Sequence, residues 1–406
     1  LARSGMIFTQ AYANAPNCAP SRACLMSGMY SPRHGIYTVG TPERGKSVHR
    51  KLIPTPNTTT LRDDIVTIPE ALKKAGYVSA QIGKWHLGSD PKQQGFTFNA
   101  GGTRAGSPPG GYFSPYKNKH LSPGPRGEYL TDRLTEEAVG FIERNADRPF
   151  FLYLSHYAVH TPIQPKEKLK QKYAAKKPVD QQDDPAYAAM VESVDHSVGR
   201  VMGLLEQRKL LENTLVLFYS DNGGHARFTS NAPLRGSKGR LYEGGIRVPL
   251  AISWPGKISA GSTCAAPVIG VDLYPTFLEA ADLEAPADKM LDGVSLWPLL
   301  SGEQESLDRE AIYWHFPAYL EAYLPRQGLW RTTPAGAIRR GDWKLLEFFE
   351  DGRLELYNLA RDPGEENDLA QEEPQQREQL YQAMKAWRKA TGAPVPTRRN
   401  PEYAPE

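Results

Sequence analysis

Apolar positions along the chain recur with two alternating periods. Thr131 opens a stretch in which Leu134, Ala138, Phe141 and Ile142 share one helical face. It runs into Phe150-Phe151-Leu152-Tyr153-Leu154, an unbroken apolar segment of buried-strand type. From about Ala186 to Arg208, Met190, Val191, Val194, Val198, Val201 and Leu205 form a second helical stripe, and the strand-like Leu215–Tyr219 follows. Closer to the start, Gly5 to Tyr12 alternates as a short strand. Thr67 can cap a helix that begins at Ile68-Pro69 and ends before Gly76, with a strand over Tyr77–Ile82 beyond it. Repeated helix–strand alternation predicts an α/β architecture with a largely parallel sheet. In such sheets chemistry collects past the carboxyl ends of the strands. Lys84, His86, His156, His160 and Asp221 all fall there.

The pattern changes after about residue 305. Ala335–Arg339, Trp343–Phe349 and Arg353–Leu359 read as strands, with Asp351-Gly352 as a hairpin turn, and residues 375–391 as an amphipathic helix. The expected division is a catalytic α/β domain over 1–305 and a subdomain over 306–406, an antiparallel sheet plus a helix. Segment 93–127, rich in Gly, Pro, Lys and aromatics, reads as a pocket-lining insertion or a surface loop.

Composition narrows the function classes. A length of 406 residues exceeds one ordinary core, which agrees with two units. Net charge is only +3, so nothing favours nucleic acid as a partner. No apolar run approaches the roughly 18 residues of a membrane helix. Cys18, Cys24 and Cys264 make neither a disulfide framework nor a zinc pattern. The lysines between Lys166 and Lys177 read as a solvated helix face. The chain opens at Leu1 already running into a strand, so a further segment, with any targeting signal, is expected upstream.

The chemistry concentrates at Cys18-Ala19-Pro20-Ser21-Arg22, continued by Ala23 to Gly28. Pro20 suits the first turn of a helix and Gly28 its end. Cys18 then lies at a helix N-terminus, where a thiolate or a bound anion is favoured, and Arg22, one turn on, can reach the same anion. A lone cysteine before a helix would read as a small buried apolar residue; the whole string reads otherwise.

C-x-P-S-R followed by S-G resembles the signature of the type I sulfatases, whose motif cysteine is oxidised to formylglycine. Further pieces follow in the family's order: Ala11-Tyr12 through Tyr30-Ser31-Pro32-Arg33-His34-Gly35, Gly83-Lys84-Trp85-His86-Leu87-Gly88, Val159-His160-Thr161-Pro162 and Asp221-Asn222-Gly223-Gly224. Leu234 to Gly239 with Tyr242 to Arg247 looks like the lysine loop, and Tyr357-Asn358-Leu359 with Asp362 to Glu365 and Asn367 like the C-terminal strand and turn. The resemblance covers almost the whole chain. It implies an alkaline-phosphatase-like fold, a large mixed sheet flanked by helices, and hydrolysis of sulfate monoesters on a sulfated carbohydrate or an aryl sulfate.

It also implies roles. Formylglycine from Cys18 would hydrate to a diol, one hydroxyl attacking sulfur and the other later expelling sulfate. Arg22 would steady that group, Lys84 and Lys238 clamp the sulfate, His86 act as base, and His160 with Lys238 serve the leaving alcohol. Cys18, Asp221 and Asn222 would hold calcium, or magnesium. Read from the residues themselves, His225 would touch substrate, while the aromatics and cations of the 93–127 loop, Arg104 and Tyr112 among them, and of 314–331, with His315 and Arg326, would set specificity or else only pack. A formylglycine-generating enzyme would act during maturation, and the site of action would be periplasmic or secreted. The family's remaining metal ligands, an acidic pair on an N-terminal strand, would lie upstream of Leu1, so this chain is expected to bind metal poorly. Rival readings are a phosphonate or phosphodiester hydrolase of the same superfamily and a non-catalytic binder of sulfated glycans.

Overall fold

The structure is a computed structural model and describes residues 1–323 and 328–404. Two hydrogen-bonded sheets carry the first part of the chain. In one, Phe98–Ala100, Val78–Gly83 and Phe150–Ser155 lie side by side, all parallel. The other is mixed, in the order Val216–Tyr219, Leu250–Ser253, Met6–Phe8, Ser262–Cys264. The expected mixed sheet with flanking helices is therefore present, in two hydrogen-bonded sections. The predicted helices form at Ile68–Lys73, Leu130–Arg144 and Pro185–Gln207. Thr67 and Glu70 make a capping box, the Thr67 N–H donating to the Glu70 carboxylate at 2.8 Å.

The Gly5–Tyr12 strand departs from expectation by breaking in two. Met6–Phe8 stays in the mixed sheet, while Ala11–Tyr12 crosses to pair with Val268–Ile269. The Thr9 carbonyl at the break accepts from the Arg247 guanidinium, and the Gln10 carbonyl from the Val268 N–H. The displaced half leads directly into the helix Cys18–Ser27, whose Pro20 lies in its first turn. Gly28 ends that helix in the left-handed region, at φ 67°, with its N–H on the Cys24 carbonyl.

Towards the C-terminus, Ile312–Phe316, Ala335–Arg340, Trp343–Phe348 and Arg353–Asn358 form an antiparallel sheet in that order. The first strand was not anticipated. One face packs Ile338, Leu345 and Leu356 against Leu380 and Met384 of the helix Pro374–Thr391. The other packs Trp314, Phe316, Ala337 and Tyr357 against Tyr12, Cys24 and Tyr30. The sheet is thus buried on both sides, with one side shared with the Cys18 helix. Trp314 is 1% exposed and donates its indole N–H to the Ala13 carbonyl at 2.8 Å.

A buried ion cluster ties this sheet to the loop after Lys238. The Lys344 ammonium lies 2.9 Å from Glu243 and 2.8 Å from Glu365, and all three side chains are fully buried. Tyr12 donates to the other Glu243 oxygen at 2.7 Å, and the Glu243 N–H to Glu365 at 2.7 Å. Burial works against ionisation of Glu243, but Lys344 outweighs it and holds the carboxyl below its usual range; burial raises Glu365. The last residues return to the start: the Ile53 N–H donates to Arg398 and the Ala404 N–H to Val48.

Candidate active site

Cys18 is 2% exposed at the first turn of its helix, and its Sγ accepts from the Lys238 ammonium at 3.2 Å. Burial alone would raise the thiol pKa. The ammonium groups of Lys238 and Lys84, with hydrogen bonds from His160 and His86, more than reverse this and hold it well below its usual value. Asp221 follows the strand Val216–Tyr219. Its Oδ2 accepts from Arg22 Nε at 2.6 Å and lies 4.0 Å from the Lys84 ammonium. Arg22 Nη1 also donates to the Lys84 carbonyl at 2.6 Å, so one guanidinium joins the Cys18 helix to two strand ends.

Local sequence explains how these groups converge. Gly83 has φ of 100° and its strand comes too close to the Ser155 carbonyl for any side chain, so Lys84 emerges directly beside the neighbouring strand end. Lys84 is 3% exposed, and burial lowers its pKa, against Cys18 and Asp221. Lys238 is raised instead: burial opposes its charge, but Cys18 and Asp221 prevail. His86 has φ of 70°, a left-handed conformation that costs a side-chain residue about 1 kcal/mol or more. Its N–H donates to the Thr103 carbonyl, and a Cβ on Gly106 would come within 2.5 Å of the ring. Burial lowers the His86 pKa, keeping the imidazole neutral.

All six predicted catalytic side chains therefore meet around one point: Cys18, Arg22, Lys84, His86, His160 and Lys238. The residues expected further out lie elsewhere. Tyr112 is fully buried in the core, and its hydroxyl donates to the His160 carbonyl at 2.9 Å, so it supports His160 from behind rather than facing substrate. His315 is a buried strand residue whose Nε2 meets the Pro394 carbonyl at 2.9 Å; it lies inside the C-terminal sheet's packing. Its alternation with Trp314 and Phe316 turns it away from the Cys18 helix. Arg104 is exposed. Arg326 lies outside the described residues. His156, four residues before His160, pairs with Ser197 at 3.1 Å within the core.

His225 is half-buried and stacks on Tyr323, ring centroids 3.7 Å apart. Tyr323 donates to the Lys238 carbonyl at 3.2 Å and was not singled out from the sequence, although it lies in the aromatic and cationic 314–331 stretch. Burial, then Lys238 and Arg331, hold His225 down to about 4.

The donor set for a hard cation is only partly there. Asn222 Oδ1 is buried with no hydrogen-bond partner, as a metal ligand would be, and Asp221 lies next to it. These give two oxygens where calcium takes about six to eight. Among the described residues no group of three His, Cys, Asp or Glu side chains gathers around a metal-sized space. The residues present do not complete a calcium site.

A thiol at a helix N-terminus, ringed by two lysines, an arginine and two histidines at the strand ends of an α/β fold, defines a hydrolase of alkaline-phosphatase-like type. Residues 1–283 match the sulfatase family, and residues 237–390 match the C-terminal part of N-sulphoglucosamine sulphohydrolase. The chain belongs to the sulfatase family; it is an enzyme, a sulfuric-ester hydrolase. A sulfatase of Formosa agariphila is 34% identical over 97% of this chain and 83% of its own. The N-acetylgalactosamine-6-sulfatase of Canis lupus familiaris is 33% identical over 91% of this chain and 76% of its own. The crystal structure of Ps i-CgsB superposes with a TM-score of 0.78 at 30% identity, over 95% of this chain and 85% of that one; the same protein has been solved with k-i-k-neocarrahexaose. A phosphonate monoester hydrolase from Silicibacter pomeroyi shares the fold alone, at 20% identity. No described helix is long and apolar enough to cross a membrane.

Proposed function

We propose that the chain cleaves a sulfate monoester of a carbohydrate, with Cys18 in its formylglycine form as nucleophile. The observation that carries this reading is the convergence of Lys84, Lys238, Arg22, His86 and His160 on the Cys18 side chain. A sulfate ester is an anion, and a nucleophile approaches it only where cations offset its charge. Lys84 and Lys238, whose ammonium groups both act on Cys18, are the groups that bind and orient the sulfate oxygens. Arg22 fixes Asp221 and the Lys84 backbone, so the cationic wall keeps its shape. His86, kept neutral by burial, accepts a proton at Nε2 or Nδ1, the latter having no partner in the fold. His160 stands ready to protonate the departing sugar oxygen. A hydrated formylglycine supplies what a thiol or serine lacks: a second hydroxyl on the carbon that carries the sulfate.

Asp221 and Asn222 are the residues that would begin a calcium or magnesium site, and the reading routes no step through it. The names of the relatives, one acting on an N-acetylgalactosamine 6-sulfate and one bound to a carrageenan-type oligosaccharide, support a sulfated sugar over an aryl sulfate. A periplasmic or secreted enzyme would meet such glycans. The test co-expresses the chain with a formylglycine-generating enzyme and analyses the Cys18 peptide by mass. Nitrophenyl sulfate, nitrophenyl phosphate and a phosphonate monoester are then compared by kcat/KM. A sulfate preference lost in Cys18→Ala is expected. Preference for a phosphorus ester, or glycan binding by a chain whose Cys18 stays a thiol under these conditions, would overturn the reading.

A further inference from the structure

Beside the Cys18 cluster lies a cavity of about 160 Å³ lined by Ala226, Gly236, Ser237, Arg240, Tyr323 and Arg331. Its floor is the segment that carries Lys238. A Cβ on Gly239 would come within 2.6 Å of Arg331 Nε, so the Arg331 stem lies directly on the backbone next to Lys238. Tyr323 forms the wall: Arg331 lies over its ring at 3.8 Å, His225 stacks on it, and its hydroxyl bonds the Lys238 carbonyl. A second cavity, of about 210 Å³, continues past Arg240 and Arg331 towards Trp330.

The charge balance of this cavity is unusual. Arg44 and Arg240 both act on Arg331, and among the described residues no ion pair joins any of the three to a carboxylate. Arg331 Nε is buried with no hydrogen-bond acceptor. Burial and the repulsion of Arg44 and Arg240 lower the pKa of this guanidinium, whereas Arg22, which has Asp221, is raised. Clustered guanidinium groups with no carboxylate beside them favour an anion from outside, and the fork of arginine suits carboxylate and sulfate oxygens.

We propose that the cavity between Arg240, Tyr323 and Arg331 is a second anion subsite, taking a sulfate or carboxylate substituent of the sugar beside the ester being cleaved. This rests on the carbohydrate reading above and narrows it to substrates with at least two anionic groups. Lys238 borders both sites, its ammonium on Cys18 and its carbonyl on the Tyr323 hydroxyl.

The test measures binding rather than turnover, so that it stands apart from the reaction. The full chain bearing Cys18→Ala is titrated calorimetrically at low salt with three probes: N-acetylgalactosamine 6-sulfate, its 4,6-disulfate, and a glucuronate-containing disaccharide 6-sulfate. The two-anion probes are expected to bind about 10–100-fold tighter than the first, the range of one or two charge-assisted hydrogen bonds. Which of the two is tighter identifies sulfate or carboxylate as the occupant. Adding Arg331→Ala or Arg240→Ala should erase the preference, and Arg331→Lys, which keeps the charge but not the fork, should retain part of it. Arg331→Lys and Arg240→Ala carry the test if Arg331→Ala does not fold. Equal affinity for all three probes, a preference that survives both alanine variants, or no binding of any two-anion probe overturns the subsite. No sulfate-ester hydrolysis by the chain with Cys18 converted to formylglycine, alongside an intact binding preference in the Cys18→Ala chain, would instead remove the reaction assignment and leave the subsite standing.

Discussion

Lys84 and Lys238 face the same side chain from different surroundings. Lys84 is walled in and its charge is opposed by burial, while Lys238 gains more from Cys18 and Asp221 than burial takes away. Lys238→Ala should lower kcat on a glycan sulfate by about 10²–10³-fold, the scale of one lost transition-state donor; steady-state kinetics on the Cys18-modified enzyme checks this. His86 titrates in a known direction. Its folded pKa lies below the ordinary value near 6.5, so the neutral base persists as pH falls. The acid limb of the kcat/KM profile should therefore lie below pH about 6.5. Tyr112→Phe removes the hydroxyl behind the His160 carbonyl and leaves the packing intact. A drop in kcat of less than about 10-fold with KM unchanged is expected, in line with about 1 kcal/mol for one neutral hydrogen bond.

At the scale of elements, the C-terminal sheet and the Lys238 loop meet through Lys344, Glu243 and Glu365. Lys344→Met leaves the buried Glu365 without its cation and Glu243 with only Arg247, 3.6 Å away, and should cost about 3–5 kcal/mol in urea unfolding. Neutralising all three, with Glu243→Gln and Glu365→Gln added, should recover part of that loss; a triple variant less stable than the single one would sink the account. No sequence pattern pointed to this cluster, because its members lie 101 and 21 positions apart and each alone reads as an ordinary charge. Local signals were readable where backbone geometry demanded one residue type: Pro20 and Gly28 framed the Cys18 helix, and Thr67 with Pro69 opened the helix Ile68–Lys73. The six inner residues were legible through motif order: Cys18 opens a helix with Arg22 one turn on, Lys84, His86 and His160 follow strands, and Lys238 stands in its own Gly-rich loop motif. Tyr112 and His315 were misread because an aromatic in a polar loop, or a histidine between aromatics, has the same local sequence whether it faces a sugar or a core. The break at Thr9 was invisible for a related reason: alternation continues across it, and Val268–Ile269, which draws the second half away, lies far along the chain.

For the molecule as a whole, His34, His156 and His315 are buried and held neutral, at about 3, 4 and 4. Burial is the leading cause in each. Their unfolded values lie near 6.5, so the unfolded chain binds more protons between about pH 4 and 6.5. Stability should be fully present above that window and fall through it on acidification, by about 1.4 kcal/mol per pH unit for each histidine. Melting temperature across pH 4–7.5 checks this, and a curve flat over the window would count against it. With two hard oxygen donors beside Cys18, the 406-residue chain should bind calcium with a Kd no tighter than about 10⁻³ M. Calorimetric titration decides.

The shared packing of the Cys18 helix with the C-terminal sheet also sets a clock. Ala13 is held by Trp314, Tyr12 by Arg339, and the Ser31 hydroxyl by the His315 carbonyl, all from the last quarter of the chain. During synthesis at about 5–20 residues per second, the stretch between Cys18 and those partners takes on the order of 15–65 s to emerge. For that interval the Cys18 helix lacks one of the surfaces it packs against in the finished fold. An oxidising enzyme that reaches it then works on an open peptide, and one that arrives later meets a thiol already sealed beneath two lysines.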